Sequence, residues 1–211
     1  KDTSEPSGYS VSIDSSYINN TNATAMSFTF ASAEVGTTYH YTIDDTNGVT
    51  SAITGSGVIE TATDQITGID VSGLDDDILT LTVYLTDSAG NQGSNATDTV
   101  TKETVPPSGY TVTLDQNPVT SSNDTAVSFT FASAQVGTDY AYSISDGSSQ
   151  VTGSGTIGTA TDQISSIDVS GLADGTLNLS VTLTDVAGNI GSVATDSATK
   201  EATPPTGYSI S

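Results

Sequence analysis

An all-β chain, built of tandem seven-stranded immunoglobulin-like β-sandwich domains joined end to end, is what three features of the sequence predict. Apolar residues alternate with Ser and Thr at a period of two. Segments of about 100 residues return almost letter for letter. No stretch of useful length carries the spacing of an amphipathic helix.

The strands are clearest in the second segment. "YTVTLD" turns Tyr110, Val112 and Leu114 to one face, predicting a strand at 109–114. "AVSFTF" turns Val127, Phe129 and Phe131 inward over 126–131, and "YAYSI" turns Tyr140, Tyr142 and Ile144 inward over 139–145. Strands at 149–153 and 162–168 follow. "LNLSVTLTD" sets Leu177, Leu179, Val181 and Leu183 against Asn178, Ser180, Thr182 and Thr184, predicting a strand at 176–184. A seventh covers 193–200. Leu79, Leu81, Val83 and Leu85 repeat the pattern in the first segment. Thr- and Ser-rich outer positions suit a pleated, half-exposed surface. Seven short strands in about 100 residues are the mark of an immunoglobulin-like sandwich.

The repeats set the domain organisation. "SGYSVSID" (Ser7–Asp14) returns as "SGYTVTLD" (Ser108–Asp115), and "SFTFASAEVG" (Ser27–Gly36) as "SFTFASAQVG" (Ser128–Gly137). "TATDQITGIDVSGL" (Thr61–Leu74) returns as "TATDQISSIDVSGL" (Thr159–Leu172). The joints repeat as well: "KDTSEP", "KETVPP" and "KEATPP". The expected layout is a linker at 1–6, a repeat at 7–101, a linker at 102–107 and a repeat at 108–199. A linker and the first strand of a third repeat follow at 200–211. Near-identity of whole repeats points to an excerpt from a longer array.

Composition excludes several classes of function. The 211 residues include 3 Lys plus Arg against 25 Asp plus Glu, a formal net charge of −22. Such a surface repels nucleic acid and anionic lipid, because phosphate binding needs a cationic footprint. There are no cysteines, so thiolate metal sites and disulfide scaffolds are excluded. No apolar run approaches the length of a membrane span, so no membrane insertion by this segment is expected. Crowded carboxylates call for cations, and oxygen-only ligands suit a hard divalent ion such as Ca²⁺.

One phrase stands out: "LTDSAGNQG" at Leu85–Gly93 and "LTDVAGNIG" at Leu183–Gly191. Between the sixth and seventh strands it lies where the chain enters the domain, beside the preceding linker. Asp87 and Asn91 are expected to face Asp2, and Asp185 and Asn189 to face Glu103. Two readings stand. Gly-Asn can adopt a tight turn, with Asp bonding its own backbone. Alternatively these oxygens join the linker acid in holding Ca²⁺. Asp139 is a further candidate. At the exit end the candidates are Asp75, Asp76 and Asp77, of which only Asp174 is kept in the second repeat.

Other constellations carry less. "GSGTIG" (Gly153–Gly158) matches a dinucleotide-binding pattern, but no helix follows. His40 is the only histidine and pairs with Ala141 in the repeat alignment, so an exposed strand residue is expected, not a triad or zinc site. Asp44 and Asp45 are adjacent, so a strand would point them to opposite faces rather than across a glycosidase cleft. Lys1, Lys102 and Lys200 fall at the joints, where burial of the kind an intramolecular isopeptide bond needs is not expected.

"KETVPP", "GTLNLSVTLTD" and "DVAGN" together resemble the bacterial Ig-like repeats that form the extender regions of giant RTX-type biofilm adhesins. The resemblance covers both repeats. It implies a non-enzymatic spacer on the bacterial cell surface, projecting a terminal adhesive domain and stiffened by Ca²⁺ at the linkers. Its partners would be calcium ions and neighbouring repeats, the chain itself being monomeric. The linker acid is Glu in two of the three joints, and the Gly-Gly-x-Gly-x-Asp nonapeptide of such adhesins is absent. The competing class is a ligand- or glycan-binding recognition module of a surface protein, against which the near-identity of the repeats argues.

Overall fold

A computed structural model describes residues 1–204 and 207 of the chain. The strand expected at the start of a third repeat falls, Gly207 apart, outside the described residues. The chain divides into two units, Lys1–Val105 and Pro106–Ser211.

In unit 1 the strands are β1 (Ser10–Ile13), β2 (Tyr17–Ile18), β3 (Met26–Ala31), β4 (Thr38–Asp45), β5 (Ile53–Val58), β6 (Gln65–Ile69), β7 (Ile78–Thr86) and β8 (Ala96–Lys102). They form a three-stranded sheet, β1-β3-β6, and a five-stranded sheet, β2-β8-β7-β4-β5. Unit 2 repeats the plan with β9 (Thr111–Leu114), β10 (Val119–Thr120), β11 (Val127–Ala132), β12 (Asp139–Ser145), β13 (Gln150–Thr156), β14 (Gln163–Ile167), β15 (Gly175–Thr184) and β16 (Ala194–Glu201). Its sheets run β14-β11-β9 and β10-β16-β15-β12-β13. The described residues contain no helix long and apolar enough to cross a membrane.

The seven expected strands are present in each unit, with one addition. β2 and β10 are two-residue strands that pair parallel to the last strand of their unit. Two residues are too few for an alternation to register, but their effect is large. They carry the chain from the small sheet to the edge of the large one and cover the flank of β8 and β16.

The core is what the alternation dictates. Phe28, Phe30, Leu79, Leu81, Val83 and Leu85 are buried in unit 1, and Phe129, Phe131, Leu177, Leu179, Val181 and Leu183 in unit 2. Each such side chain contributes about 1.5–3 kcal/mol of burial. Tyr39 and Tyr41 pack edge-on or tilted against the phenylalanines, and Tyr140 and Tyr142 do the same.

The glycines of "GSG" belong to this aromatic layer. Gly55 and Gly57 sit opposite Tyr41 and Tyr39 across the β4–β5 ladder, and Gly153 and Gly155 opposite Tyr142 and Tyr140. A Cβ at Gly153 would lie 2.5 Å from the Tyr142 ring. The rings therefore lie flat on bare backbone and seal the open edge of the sandwich. On β8 and β16 an inward-facing acid joins the two sheets: Asp98 accepts the Ile13 N–H at 2.8 Å, and Asp196 the Leu114 N–H at 2.7 Å.

Candidate functional site

The repeated Asp-x-Ala-Gly-Asn phrase closes the end at which the chain enters each unit. Asp185 Oδ1 accepts the Asn189 backbone N–H at 2.8 Å, and Oδ2 accepts the Asn189 side-chain amide at 2.9 Å. The Asp185 N–H returns to the Asn189 carbonyl at 3.1 Å. Gly188 supplies the turn with φ +90, where a side chain would be strained. Asp185 and Asn189 are both buried, at 7% and 0% exposure. In unit 1, Asp87 Oδ1 accepts from Ala89 and Asn91 N–H, each at 2.8 Å, and Oδ2 from the Asn91 amide at 2.7 Å. The Asn91 amide leads these donors in holding the Asp87 carboxyl below its ordinary value.

The phrase also grips the incoming linker. The Tyr110 hydroxyl accepts the Leu183 N–H at 3.1 Å and donates to the Ser192 carbonyl, tying the start of the unit to both sides of the turn. A Cβ on Gly191 would land on the Pro107 carbonyl oxygen. The last glycine of the phrase is therefore the seat of the linker proline, and Pro107 is buried. Unit 1 repeats the arrangement with Tyr9, Leu85, Ser94, Gly93 and Pro6. Asn91 Nδ2 also reaches the Asp2 backbone carbonyl at 3.4 Å, so Asp2 and the turn meet as expected. The Asp2 carboxylate itself accepts from Ser4 N–H at 3.0 Å.

The exit end corrects the reading of the lysines. Lys102 and Lys200 are 4% and 2% exposed, not free at a joint. Lys200 Nζ donates to the carbonyls of Leu172 at 2.6 Å, Val169 at 2.8 Å and Ser170 at 3.1 Å, with Asp124 at 3.9 Å. Lys102 Nζ donates to the Leu74 carbonyl at 2.7 Å and to Asp76 at 2.9 Å. Ala23 occupies the position of Asp124 in unit 1, which is why the two lysines take different acids.

Asp76 and Asp174 then hold the outgoing chain. Asp76 accepts the Thr104 N–H at 2.7 Å, and Asp174 accepts the N–H groups of Ala202 and Thr203, both at 2.9 Å. Burial pushes Asp76 up, but Lys102 and Thr104 outweigh it and hold the carboxyl below its ordinary value. Thr203 and the Ala202 amide depress Asp174. One loop further out, Asp146 accepts from Ala173, Ser149 and Ser148, which bring it from 3.8 down to about 2.

The remaining candidates have partners of their own. Asp139 accepts from the Thr156 hydroxyl at 2.7 Å, and Asp75 Oδ2 from the Asn47 amide at 2.6 Å. Asp77 accepts from Ile78 N–H at 2.7 Å and from the Thr46 hydroxyl. Glu103 donates its N–H to the Ile18 carbonyl at 2.9 Å.

A calcium ion needs about 6–8 oxygens. Among the described residues no group of three or more His, Cys, Asp or Glu side chains converges as a metal requires. Where oxygens do converge, an N–H donor of the chain already stands between them. At the entry end of unit 1 it is the Asn91 amide, between Asp87 and the Asp2 carbonyl. At the exit ends it is a lysine ammonium.

The buried lysines and the Tyr9 and Tyr110 hydroxyl bridges were the residues that sequence reasoning overlooked. Extending the alternation of β16 by one step puts Lys200 on the same inward face as Ala198, and that signal was available. His40 lies on a strand, as expected, but is half-buried rather than exposed, its ring stacked on Tyr84.

No protein-family model matches this sequence, and no curated protein does. Among solved structures, one concerning host cell surface retention of a 1.5-MDa bacterial ice-binding adhesin is 23% identical, with a TM-score of 0.52. It covers 95% of this chain and 67% of that one. The FN1-FN3 domains of chicken CNTN1 are 10% identical with a TM-score of 0.50, covering 94% and 65%. A tetra-tandem repeat from the extending region of a large adhesion protein is 21% identical with a TM-score of 0.43. This chain is covered to 92% and spans about half of that one, 49%. The likenesses to the ice-binding adhesin structure and to the CNTN1 domains bear out the immunoglobulin-like sandwich fold.

Proposed function

We propose that the chain is a length of an extracellular extender on a bacterial surface, a spacer that carries a terminal adhesive domain away from the cell. One observation carries the reading: each unit grips the chain at both of its ends. Thr104 is bonded to Asp76 of unit 1, and Pro107 is seated on Gly191 of unit 2. Only Val105 and Pro106 lie between these anchors, and proline fixes one of the few remaining dihedrals. A spacer needs this property and an enzyme does not. A tandem fold of this kind also occurs in the ice-binding adhesin.

Calcium is proposed as an addition to these bonds, taken up by exposed oxygens such as those of Asp2, Asp75 and Asp76. An ion at one hundred times its dissociation constant stabilises by about 2.7 kcal/mol per site. Small-angle scattering and thermal melting, each with millimolar Ca²⁺ and with chelator, test this. The expected result is a higher melting temperature with Ca²⁺ and a chelated chain that stays folded and extended. Unfolding or collapse in chelator would contradict the assignment of the grip to hydrogen bonds. An identical melting curve in both would remove calcium.

A further inference from the structure

The β4–β5 connection of unit 1 is longer than its counterpart in unit 2. Ile43 pairs with Ile53 across the first, and Ile144 with Val151 across the second. The added length carries Asn47-Gly48, the only Asn-Gly pair in the sequence. Both residues are exposed, and the space around Gly48 is open.

Three contacts converge on that peptide. Asn47 Oδ1 accepts the Val49 N–H at 2.8 Å. The ring closed by this bond contains both the Asn47 Cγ and the Gly48 nitrogen, so the side chain folds back over the peptide that follows it. Gly48 takes φ +64, where a side chain would be strained. The Gly48 N–H donates to Asp45 Oδ1 at 3.3 Å. Asp45 is buried and fixed through its other oxygen, which accepts the Asp75 N–H at 3.0 Å and the Thr50 hydroxyl. The Asn47 amide nitrogen donates to Asp75 Oδ2 at 2.6 Å.

These are the parts of an acyl transfer: a nitrogen beside a base, a carbonyl with an N–H on its oxygen, and an oriented leaving group. We infer that Asn47 is a self-modification site, at which the loop of unit 1 converts its own asparagine to aspartate and isoaspartate. The Gly48 nitrogen bonds to the Asn47 Cγ while Asp45 takes its proton. The Val49 N–H holds the oxyanion that forms on Oδ1. The Cγ–Nδ2 bond then breaks, and the amide nitrogen takes a proton from water and leaves as ammonia. Asp45 returns its proton to the hydroxide so formed. A second water opens the resulting succinimide at either carbonyl. Nothing is oxidised or reduced.

The same bonds could serve only to shape the loop. Unit 2 makes its shorter connection with no asparagine and with Ala173 in place of Asp75, so neither is required for a turn here. Its own Asp146-Gly147 pair is inert by this route. The Asp146 carboxylate is held by the Ser148 and Ser149 N–H groups at 2.8 and 2.7 Å and carries no amine to expel. Conversion in unit 1 replaces the Asn47–Asp75 bond with two facing carboxylates, so the loop loses a tie and gains a charge. This inference stands apart from the spacer reading, because the outgoing chain is held by Asp76 and not by this loop.

Peptide mass mapping of the whole chain during incubation at neutral pH is the test, run in buffer and in urea. The expected result is loss of ammonia and then net exchange of amide for acid at residue 47, with isoaspartate among the products. Asn91 and Asn189 are expected to stay intact. The folded chain is expected to react at least about tenfold faster than the chain unfolded in urea, because the turn holds the reacting atoms together. Asp45→Asn is expected to slow the folded reaction by at least about tenfold, with circular dichroism checking its fold. The comparison of buffer with urea needs no variant and stands if that one fails to fold. No conversion at residue 47, a rate in urea equal to or above that in buffer, or an undiminished rate in folded Asp45→Asn would overturn the inference.

Discussion

Replacing Lys200 with Met lowers the stability of unit 2 by about 3–5 kcal/mol, the range for an uncompensated break in a buried polar network. The ammonium is the sole side-chain donor to a cage of three backbone carbonyls, at 2.6, 2.8 and 3.1 Å. Met fills a similar volume but donates nothing. The Val169 carbonyl keeps the Leu172 N–H at 3.0 Å, and a buried carbonyl left without a donor, as that of Leu172 is, costs about 1–3 kcal/mol. For a unit of this size that is a fall of more than about 10 °C in melting temperature. Arg does not rescue it, because a planar fork cannot point its donors at three carbonyls gathered around one atom. Lys102→Met is expected to act on unit 1, where Asp76 also loses its cation. Calorimetry reads both, and a loss below about 1 kcal/mol for Lys200→Met would show the cage to be dispensable.

Replacing Asp185 with Ala costs about 3 kcal/mol and loosens the entry end of unit 2. Its two oxygens satisfy the Asn189 backbone N–H and side-chain amide, and Asn189 is fully buried at 0% exposure. Without the carboxylate the turn holds Gly188 and Gly191 by backbone bonds alone, to the Asp185 carbonyl at 3.1 Å and the Leu183 carbonyl at 2.8 Å. The seat of Pro107 and the Tyr110–Ser192 bond depend on both. The equivalent Asp87→Ala is expected to cost less, because Asp87 and Asn91 are only half-buried. Denaturant unfolding gives the energies. Faster hydrogen exchange at Leu183, whose amide is bonded to the Tyr110 hydroxyl, gives the local effect. Unchanged exchange there would mean that the turn does not hold the linker.

How far residues announce structure can be judged from these elements. The long strands were plain, because Leu177, Leu179, Val181 and Leu183 leave one periodicity open and β-sheet satisfies it. The turn phrase was plain as a turn, and its Asp and Asn bond as short polar side chains do. The function of its final glycine was hidden. A glycine that makes room for a backbone carbonyl from a distant segment looks like any other glycine until the chain is folded. The tyrosine–glycine pairs were hidden for the same reason, since "YAY" and "GSG" become partners only through the register of β12 and β13. The lysines misled because a charge at the end of a strand is usually solvated. Alternation from Ala198 placed Lys200 inward, and the carbonyls that receive it come from a loop about thirty residues earlier.

The central claim is that each unit holds the linker at its own end and leaves almost no free tether. The absence of cysteine allows labels to be placed without background. Spin labels at Thr99→Cys and Ser197→Cys, equivalent exposed positions on the last strand of each unit, report the separation of the two units by pulsed electron resonance. A single narrow distance distribution is the predicted result, broadening when Asp76→Ala and Gly191→Ala release the two anchors. A broad distribution in the unaltered chain, unchanged by those substitutions, would contradict the account.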